Sequence, residues 1–291
     1  MVANKLNLLA IVGPTASGKT GLAIAIAQQL PAEIIAADSR TVYKGLDIGT
    51  AKPTVEEQQG IPHHGLDLVG PGDSFSVGDF KSYADATIRG IRARDKLPIL
   101  TGGTGLYVDA VLYDFSLAPP NQALRAELEG LGIIELQKRI EAAGLPMPDN
   151  KQNRRHLVRT LERGTAEIAR KELSPGTIII GLNPDREVLR QRITERAHAM
   201  LEAGVLDEVA WGLGHYGLDS EAMTGGVYRI YRDVIWGKLT TEQAVNLFVT
   251  SDMQLAKRQI AWFKRNQDIT WFDSAETAYS WFENEFIGTL R

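Results

Sequence analysis

The 291-residue sequence contains no cysteine, which excludes disulfides, thiolate nucleophiles and zinc or iron–sulfur sites built on cysteine. It also lacks any uninterrupted apolar run approaching the ~18 residues that a membrane-spanning helix needs. The short apolar run LNLLAIV leads directly into a Gly-rich loop without a small-residue cleavage site, so we interpret it as a buried strand. We therefore expect a cytoplasmic protein that is not embedded in a membrane.

The positive charges are unevenly spread along a chain whose net charge is −4. Seven basic residues against two acidic ones lie between residues 151 and 171, and four basic residues lie between 257 and 265. Phosphate binding depends on local potential, so these clusters favour contact with nucleic-acid phosphates despite the acidic total. The alternative is that each cluster is a solvated helix face.

Strand and helix signals alternate in the order of an α/β fold. Apolar runs without polar alternation are typical of strands buried on both faces of a parallel sheet. Four such runs occur: LNLLAIV (6–12), AEIIAADS (32–39), LPILTGGTGLY (97–107) and TIIIGLN (177–183).

The pattern changes near residue 116, where charged helical segments replace the strand signals until residue 177. We predict that residues 1–115 form the first part of an α/β core and that residues 116–174 form a mostly helical insertion. Residues 175–291 would complete the core with the strand at 177–183 and add C-terminal helices.

A Gly-rich loop stands between the first predicted strand and the first predicted helix. Its residues Gly13, Gly18, Lys19 and Thr20 match G-x-x-x-x-G-K-[ST]. The glycines let backbone N–H groups point at a phosphate, Lys19 adds a charge, and the Thr20 hydroxyl can ligate Mg²⁺. The sequence therefore predicts a polyphosphate site in a P-loop NTPase-like fold, with a parallel sheet flanked by helices.

Asp38 and Thr104 follow the second and third predicted strands. Ligands in such sheets lie beyond the carboxyl ends of the strands, so both residues should face the crevice beside the P-loop. Asp38 could ligate Mg²⁺, act as a general base or cap the following turn, and its position alone does not choose between these roles. The Thr104 hydroxyl could orient a phosphate or a base, or TGGTGLY could be only a tight turn.

Two other features have structural explanations that we favour. The adjacent histidines His63 and His64 point opposite ways in an extended segment, and no third ligand follows at a suitable spacing, so we expect no metal there. Trp262 and Phe263 could stack on bases, but an aromatic pair beside a basic helix is more often part of a core.

Six segments occur in order from about residue 8 to residue 265: GPTASGKT, ADSRTVYKGLDIGTAKPT, PHHGLDLV, FSVGDFKSYADATI, PILTGGTGLYVDAVL and QLAKRQIAWFKR. Together they resemble the tRNA dimethylallyltransferase (isopentenyltransferase) family. DIGTAKP directly downstream of DS is far more specific than the P-loop.

The resemblance implies that the P-loop holds the diphosphate of dimethylallyl diphosphate while the five-carbon group moves to N6 of adenosine 37 in a tRNA. Diphosphate is then the leaving group, stabilised by Lys19 and by Mg²⁺ on Thr20, with Asp38 as general base and Thr104 supporting the diphosphate or the amine. The donor would contact Gly13, Pro14, Thr15, Ala16, Ser17, Gly18, Lys19 and Thr20. The tRNA would contact Asp38, Ser39, Arg40, Thr41, Thr104, Arg125, Arg155, Arg159, Lys257 and Arg258. We expect a monomer.

The chain departs from the family pattern outside the donor loop. Thr41 replaces the Gln of DSxQ, and GVYRI (226–230) replaces IGYRE while keeping Tyr228 and Arg229. Asp252 and Met253 replace a Thr and an Arg before QLAKRQ. These positions are expected near the diphosphate exit or the RNA.

Three alternative functions stay open on the sequence. A nucleotide kinase would use the same loop and an Arg-rich lid. A prenyltransferase acting on free adenine nucleotides would share the chemistry, although the basic insertion favours RNA. A tRNA-binding relative with little catalysis would explain the departures near the C-terminus.

Overall fold

The structure is a computed structural model that describes residues 6–116, 122–165 and 169–287. The chain divides into two compact units. One unit is Met1–Leu112 with Leu173–Arg291, and the other is Tyr113–Glu172.

A six-stranded parallel sheet forms the centre of the larger unit, with strand order β3-β2-β4-β1-β5-β6. The apolar runs predicted as buried strands are four of these strands, which confirms the parallel α/β core. The strands are β1 Leu8–Val12, β2 Ala32–Ala36, β3 His63–His64, β4 Leu97–Gly102, β5 Thr177–Leu182 and β6 Ile269–Phe272.

Strands β3 and β6 were not predicted, because each is a short run at an edge of the sheet. Strand β3 is two residues long, within a stretch rich in Gly and Pro. Strand β6 reads ITWF and follows a long helix, and the C-terminal part was expected to be mostly helical. Only pairing with a neighbouring strand identifies these segments as part of the sheet.

Helices cover the sheet and complete both units. They are α1 Lys19–Ala27, α2 Val77–Arg92, α3 Gly105–Leu112, α4 Gln122–Glu129, α5 Ile133–Ala142, α6 Arg154–Arg163, α7 Arg186–Glu202, α8 Val205–Tyr216, α9 Gly226–Ile235, α10 Thr241–Phe263 and α11 Ala275–Phe282. A 3-10 turn covers Glu221–Thr224, and a π-helical turn covers Glu283–Ile287.

Two hydrophobic clusters hold the larger unit together. The first joins the strands to α1 and α11 through side chains such as Leu9, Ile11, Ile26 and Phe282. The second joins the segment after β2 to helices α7, α8, α9 and α10; it includes Val42, Tyr43, Ile193, Tyr231 and Phe248. Because α7 and α10 pack together beyond the carboxyl ends of the strands, residues far apart in sequence surround the P-loop.

The smaller unit has its own small core of helices α4, α5 and α6. Leu128, Leu136, Ile140 and Leu157 are its most buried side chains. Ser116 and Ala169 form an isolated antiparallel bridge between the two chain ends of this unit.

No helix in the described part of the chain has the length and apolar character needed to cross a membrane.

Candidate functional site

The P-loop connects β1 to α1 and has the backbone geometry of a phosphate-binding turn. Gly18 has φ 92°, a left-handed conformation that favours glycine, and α1 begins at the next residue. A side chain at Gly13 would place its Cβ 2.5 Å from the carbonyl oxygen of Leu182. The amides at the N-terminus of α1 are thus presented to the crevice, where the helix dipole favours an anion.

The Lys19 ammonium contacts its own loop. Its Nζ donates to the Pro14 carbonyl oxygen at 2.5 Å and lies 3.5 Å from the Ser17 hydroxyl. Burial, reinforced by the positive charge of Arg196 and opposed by Asp38, lowers the pKa of the Lys19 ammonium to about 7. An anion in the loop would remove this penalty.

Two arginines of α7 reach the P-loop, and sequence reasoning did not find them. Arg196 donates from Nη1 to the Thr15 hydroxyl at 2.7 Å, and Arg192 donates from Nη1 to the Ala16 carbonyl oxygen at 3.4 Å. Burial lowers the pKa of Arg196, while Asp252 and Asp38 oppose this. Their i, i+4 spacing after a predicted strand was the available signal, since it places both on one helix face.

Gln259 of α10 links the P-loop to the loop after β4 and was also missed. Its Oε1 accepts from the Thr15 amide at 2.8 Å, and its Nε2 donates to the Gly103 carbonyl oxygen at 3.0 Å. A side chain at Gly103 would clash with this amide, so the glycine allows the link. Both loops are therefore held by one side chain.

Asp38, Ser39 and Thr104 meet where β2 and β4 end. The Thr104 hydroxyl accepts from the Ser39 amide at 3.1 Å and lies 3.4 Å from the Ser39 hydroxyl. One Asp38 oxygen, Oδ1, accepts from the Arg40 amide at 2.7 Å, as a turn cap would. Asp38 also lies within electrostatic range of Lys19, Arg196 and Asp252, and its position in the P-loop crevice stays a prediction.

Of the two residues after Ser39, Arg40 is partly buried and Thr41 is buried. Arg40 donates from Nη1 to the Glu221 carbonyl oxygen at 2.8 Å and lies 3.3 Å from the Thr224 hydroxyl. Thr41 is 6% exposed, and its hydroxyl has no hydrogen-bond partner in the part of the chain that the structure describes. Their predicted contact with tRNA stays a prediction.

The DIGTAKP segment surrounds the carboxylate of Glu208, a residue of α8. The amides of Asp47, Ile48 and Gly49 donate to Glu208 at 2.6, 2.6 and 2.8 Å, and the Tyr228 hydroxyl donates to it at 2.9 Å. Burial and the negative charge of Glu208 raise the pKa of Tyr228. The motif therefore fixes the loop that follows Asp38.

Lys52, in the same motif, is buried beneath this loop. Its Nζ donates to the Tyr43 carbonyl oxygen at 3.0 Å and to Asp67 at 2.6 Å, and it also pairs with Asp47. DIGTAKP thus supports the loop that follows Asp38 through both Glu208 and Lys52.

The predicted RNA contacts in the smaller unit are partly engaged within it. Arg125 makes two hydrogen bonds of 2.8 Å to Glu162, and Arg159 lies 3.4 Å from the same carboxylate. Both guanidinium groups remain more than one third exposed, at 36% and 38%. Arg154, another member of the cluster, donates to the carbonyl oxygens of Leu128 and Leu131. The side chain of Arg155 lies outside the described residues.

The second basic cluster is exposed on α10, but its members face different neighbours. Lys257 lines a cavity of about 940 Å³ together with Arg186 and Arg190 of α7. Arg258 lies within electrostatic range of Asp252. Of the adjacent aromatic pair, Phe263 is 1% exposed, in the core, and Trp262 donates to Asp109 at 2.9 Å.

The adjacent histidines are engaged by protein groups at the edge of the sheet. His64 Nε2 lies 2.7 Å from Glu33, which also pairs with Arg94 and Lys96, and His63 Nδ1 lies 2.8 Å from the Ile61 carbonyl oxygen. These cations hold the pKa of Glu33 at about 2, with the Arg94 hydrogen bond the largest cause.

Among residues 6–116, 122–165 and 169–287, no group of three His, Asp or Glu side chains could hold a metal ion.

Comparison with protein families covers most of the chain. The family described as "IPP transferase" matches residues 41–266, and the family described as "Isopentenyl transferase" matches residues 6–67. The tRNA dimethylallyltransferase of Pediococcus pentosaceus is 39% identical over 282 residues, covering 91% of this chain and 90% of the relative. The tRNA dimethylallyltransferase of an Exiguobacterium species is 39% identical over 308 residues, covering 99% and 98%.

Solved structures show the same fold. The tRNA isopentenylpyrophosphate transferase of Bacillus halodurans superimposes with a TM-score of 0.75 at 35% identity, covering 98% of this chain and 97% of that one. A eukaryotic dimethylallyltransferase, captured in crystallographic snapshots acting on tRNA, superimposes with a TM-score of 0.75 at 26% identity. That superposition covers 97% of this chain and 77% of the eukaryotic one.

Proposed function

The chain belongs to the IPP transferase family, and we infer that it is a tRNA dimethylallyltransferase, which moves the dimethylallyl group of dimethylallyl diphosphate to a tRNA. We propose that the acceptor is N6 of adenosine 37 and that diphosphate is released. The observation that supports this best is that Asp38 lies within electrostatic range of Lys19 of the P-loop, while Thr104, just after β4, accepts a hydrogen bond from Ser39, the neighbour of Asp38.

Breaking the allylic C–O bond leaves both bonding electrons, and hence a further negative charge, on the diphosphate. The amides of Gly18, Lys19 and Thr20 and the Lys19 ammonium would stabilise that charge as it grows. Arg196, which bonds the Thr15 hydroxyl, adds a second partly buried cation beside the loop. Because these amides and cations are already in place, they lower the barrier to breaking the allylic C–O bond. No terminal phosphate needs to be activated for transfer.

The attacking nitrogen is a weak nucleophile because its lone pair is conjugated with the purine. As the new C–N bond forms, the amine must lose a proton, and a carboxylate within hydrogen-bond reach can accept it. We assign this role to Asp38. Its Oδ1 is bonded to the Arg40 amide, which orients the carboxyl group, and Oδ2 would take the proton.

The Thr104 hydroxyl accepts a hydrogen bond from the Ser39 amide and donates a long one of 3.4 Å to the Ser39 hydroxyl, which a substrate atom could replace as its acceptor. We propose that it donates either to the diphosphate or to the ring of the incoming base, and so aligns donor and acceptor.

The residues present fit a Mg²⁺ ion. The Thr20 hydroxyl is exposed at the mouth of the P-loop and makes no hydrogen bond to another described residue, so it is free to ligate a metal. When bound, Mg²⁺ would neutralise part of the diphosphate charge. Thr20 and the diphosphate oxygens would hold it.

The tRNA must present an unstacked base, at a cost of a few kcal/mol. We propose that Arg125, Arg155 and Arg159 of the smaller unit and Lys257 and Arg258 of α10 offset this cost by binding phosphates of the anticodon stem-loop. The Arg125 and Arg159 side chains are each more than one third exposed and so remain accessible to RNA oxygens.

The reaction can be tested with an anticodon stem-loop that carries adenosines at positions 36, 37 and 38, dimethylallyl diphosphate and Mg²⁺. Nuclease digestion and mass spectrometry should show a five-carbon gain on one adenosine, with release of diphosphate. Asp38→Ala should abolish the gain while RNA binding is retained. Most of the activity surviving in this variant would remove Asp38 from the base role.

The other functions considered for the sequence predict different products when ATP or AMP is supplied as well. Conversion of ATP to ADP with an acceptor, without a prenyl product, would indicate a kinase. Product formation on AMP but not on RNA would indicate a nucleotide prenyltransferase, and RNA binding without any product would indicate a non-catalytic relative.

A further inference from the structure

Helix α10 contacts the glycine-rich turn after β4 on both sides of Thr104. Gln259 donates from Nε2 to the Gly103 carbonyl oxygen at 3.0 Å. One turn further along the helix, the indole of Trp262 lies so close to Gly105 that a Cβ added there would come within 2.3 Å of Cδ1. Residues three apart share a helix face, so one face of α10 fixes the backbone before and after Thr104.

The other end of the Gln259 amide reaches the P-loop. Its Oε1 accepts from the Thr15 amide at 2.8 Å, and the Thr15 hydroxyl accepts from Arg196 at 2.7 Å. A glutamine side chain carries a donor and an acceptor on one planar group, so it can bond a backbone N–H and a backbone C=O at once. One side chain of α10 therefore spans the P-loop and the turn that carries Thr104.

This turn is also joined to the end of β2, next to Asp38. The Thr104 amide donates to the Ala37 carbonyl oxygen at 3.3 Å, and a Cβ at Gly102 would lie 2.1 Å from the same oxygen. The Thr104 hydroxyl accepts from the Ser39 amide. A movement of the turn relative to the P-loop would therefore move Thr104 and disturb the segment that begins at Asp38.

We propose that Gln259 is a positioning residue that sets the distance between the diphosphate site of the P-loop and Thr104. The inference rests on the proposed function, since it concerns the alignment of a prenyl donor with its acceptor. Gln259 would act through the backbone of Thr15 and Gly103. A misplacement of about 1 Å can slow a reaction between bound partners about 100-fold. Loss of Gln259 should therefore slow transfer far more than it weakens binding of diphosphate.

Two substitutions break this link from opposite sides. Gln259→Met keeps the length of the side chain and removes both hydrogen bonds. Gly103→Ala keeps the glutamine but places a Cβ 2.4 Å from its Nε2, so the flexible end of the side chain must move away. Gly103 is not in the left-handed region, so its backbone accepts alanine. Gln267→Met, at an exposed glutamine just after α10, is the matched control.

The first experiment is single-turnover transfer with saturating stem-loop, dimethylallyl diphosphate and Mg²⁺, beside calorimetric titration with inorganic diphosphate. Gln259→Met and Gly103→Ala should each lower the transfer rate about 100-fold, with diphosphate affinity close to that of the wild type. Gln267→Met should match the wild type in both measurements. The inference is overturned by a wild-type rate in whichever of the two variants is folded by circular dichroism. A loss of diphosphate affinity as large as the loss of rate would also overturn it.

A double-mutant cycle tests whether both substitutions act through the same link. The Gly103→Ala/Gln259→Met double variant should react about as slowly as the slower single variant, because either change already breaks the link. Losses that multiply would mean that the added methyl group obstructs a substrate, and would overturn the route through Gln259.

The wild type separates this inference from the proposed function. Product from the wild type together with an undiminished rate in Gln259→Met overturns the positioning role alone. No prenylated product from the wild type overturns both proposals.

Discussion

At the scale of single residues, Lys19 should change its protonation state when diphosphate binds. Its pKa is about 7 without an anion, and a bound polyanion should restore a value closer to the ordinary 10.5. Because the folded-state pKa is lowered, the unliganded protein gains stability as pH rises from about 7 to 10.5. Affinity for diphosphate should in turn fall as pH rises above about 7.

At pH 8 we therefore predict uptake of nearly one proton by Lys19 on binding of diphosphate. Calorimetry in two buffers with different ionisation enthalpies gives the number of protons exchanged. Diphosphate has its own ionisation, so the informative quantity is the difference between the wild type and Lys19→Gln. Identical proton exchange in the two proteins would contradict the lowered pKa of Lys19.

Single residues also show how far sequence reasoning reaches. Gly18, Lys19 and Thr20 belong to one contiguous motif, and Asp38 and Thr104 each follow a strand, so local patterns placed all of them at one edge of the sheet. Arg196 and Gln259 belong to helices that reach the P-loop only through tertiary packing. Helical periodicity shows that such a residue lies on one face, but not which loop that face meets.

At the scale of elements, the segment after β2 depends on Glu208 of α8. This carboxylate accepts three backbone hydrogen bonds and one from Tyr228, and within the described residues the three amides have no other acceptor. Glu208→Gln should lower the free energy of unfolding by about 1–3 kcal/mol, because the side-chain amide loses the charge and one acceptor oxygen. Urea denaturation measures this.

The matched control for Glu208 is Glu242→Gln, whose side chain lies exposed at the start of α10. It should change the free energy of unfolding by less than about 0.5 kcal/mol. If Glu208→Gln is as stable as this control, the hydrogen bonds from the three amides to Glu208 do not stabilise the segment after β2.

The sequence predicted the buried strands of the sheet and missed the two strands at its edges. Strands β1, β2, β4 and β5 are continuous apolar runs because helices cover both of their faces. Strands β3 and β6 lie at the edges, where two histidines or the sequence ITWF suffice once a neighbouring strand supplies the hydrogen bonds. The residues of ITWF are all common in strands, but a run of four beside the long helix α10 is too short to stand out from its surroundings.

At the scale of the whole molecule, an acidic chain must bind a polyanion through local basic surfaces. Lys257 is exposed, and we expect it to bind an RNA phosphate. Lys257→Ala should weaken stem-loop binding and reduce the salt slope, log Kd against log salt concentration, by about 1. Lys238→Ala removes an equal charge at the end of α9, where Lys238 contacts Trp236, and should leave the slope unchanged. Equal slopes in the wild type and Lys257→Ala would place the RNA elsewhere.

We propose above all that the P-loop binds the diphosphate that leaves the allylic carbon, and that Asp38 lies beside the amine that attacks this carbon. The most direct measurement is a crystal structure with a thiolo analogue of dimethylallyl diphosphate, which binds like the donor but ionises slowly. We predict that the diphosphate oxygens accept hydrogen bonds from the amides of Gly18, Lys19 and Thr20, with the allylic carbon on the side of Asp38. A diphosphate bound away from these amides, or an allylic carbon remote from Asp38, would contradict the mechanism.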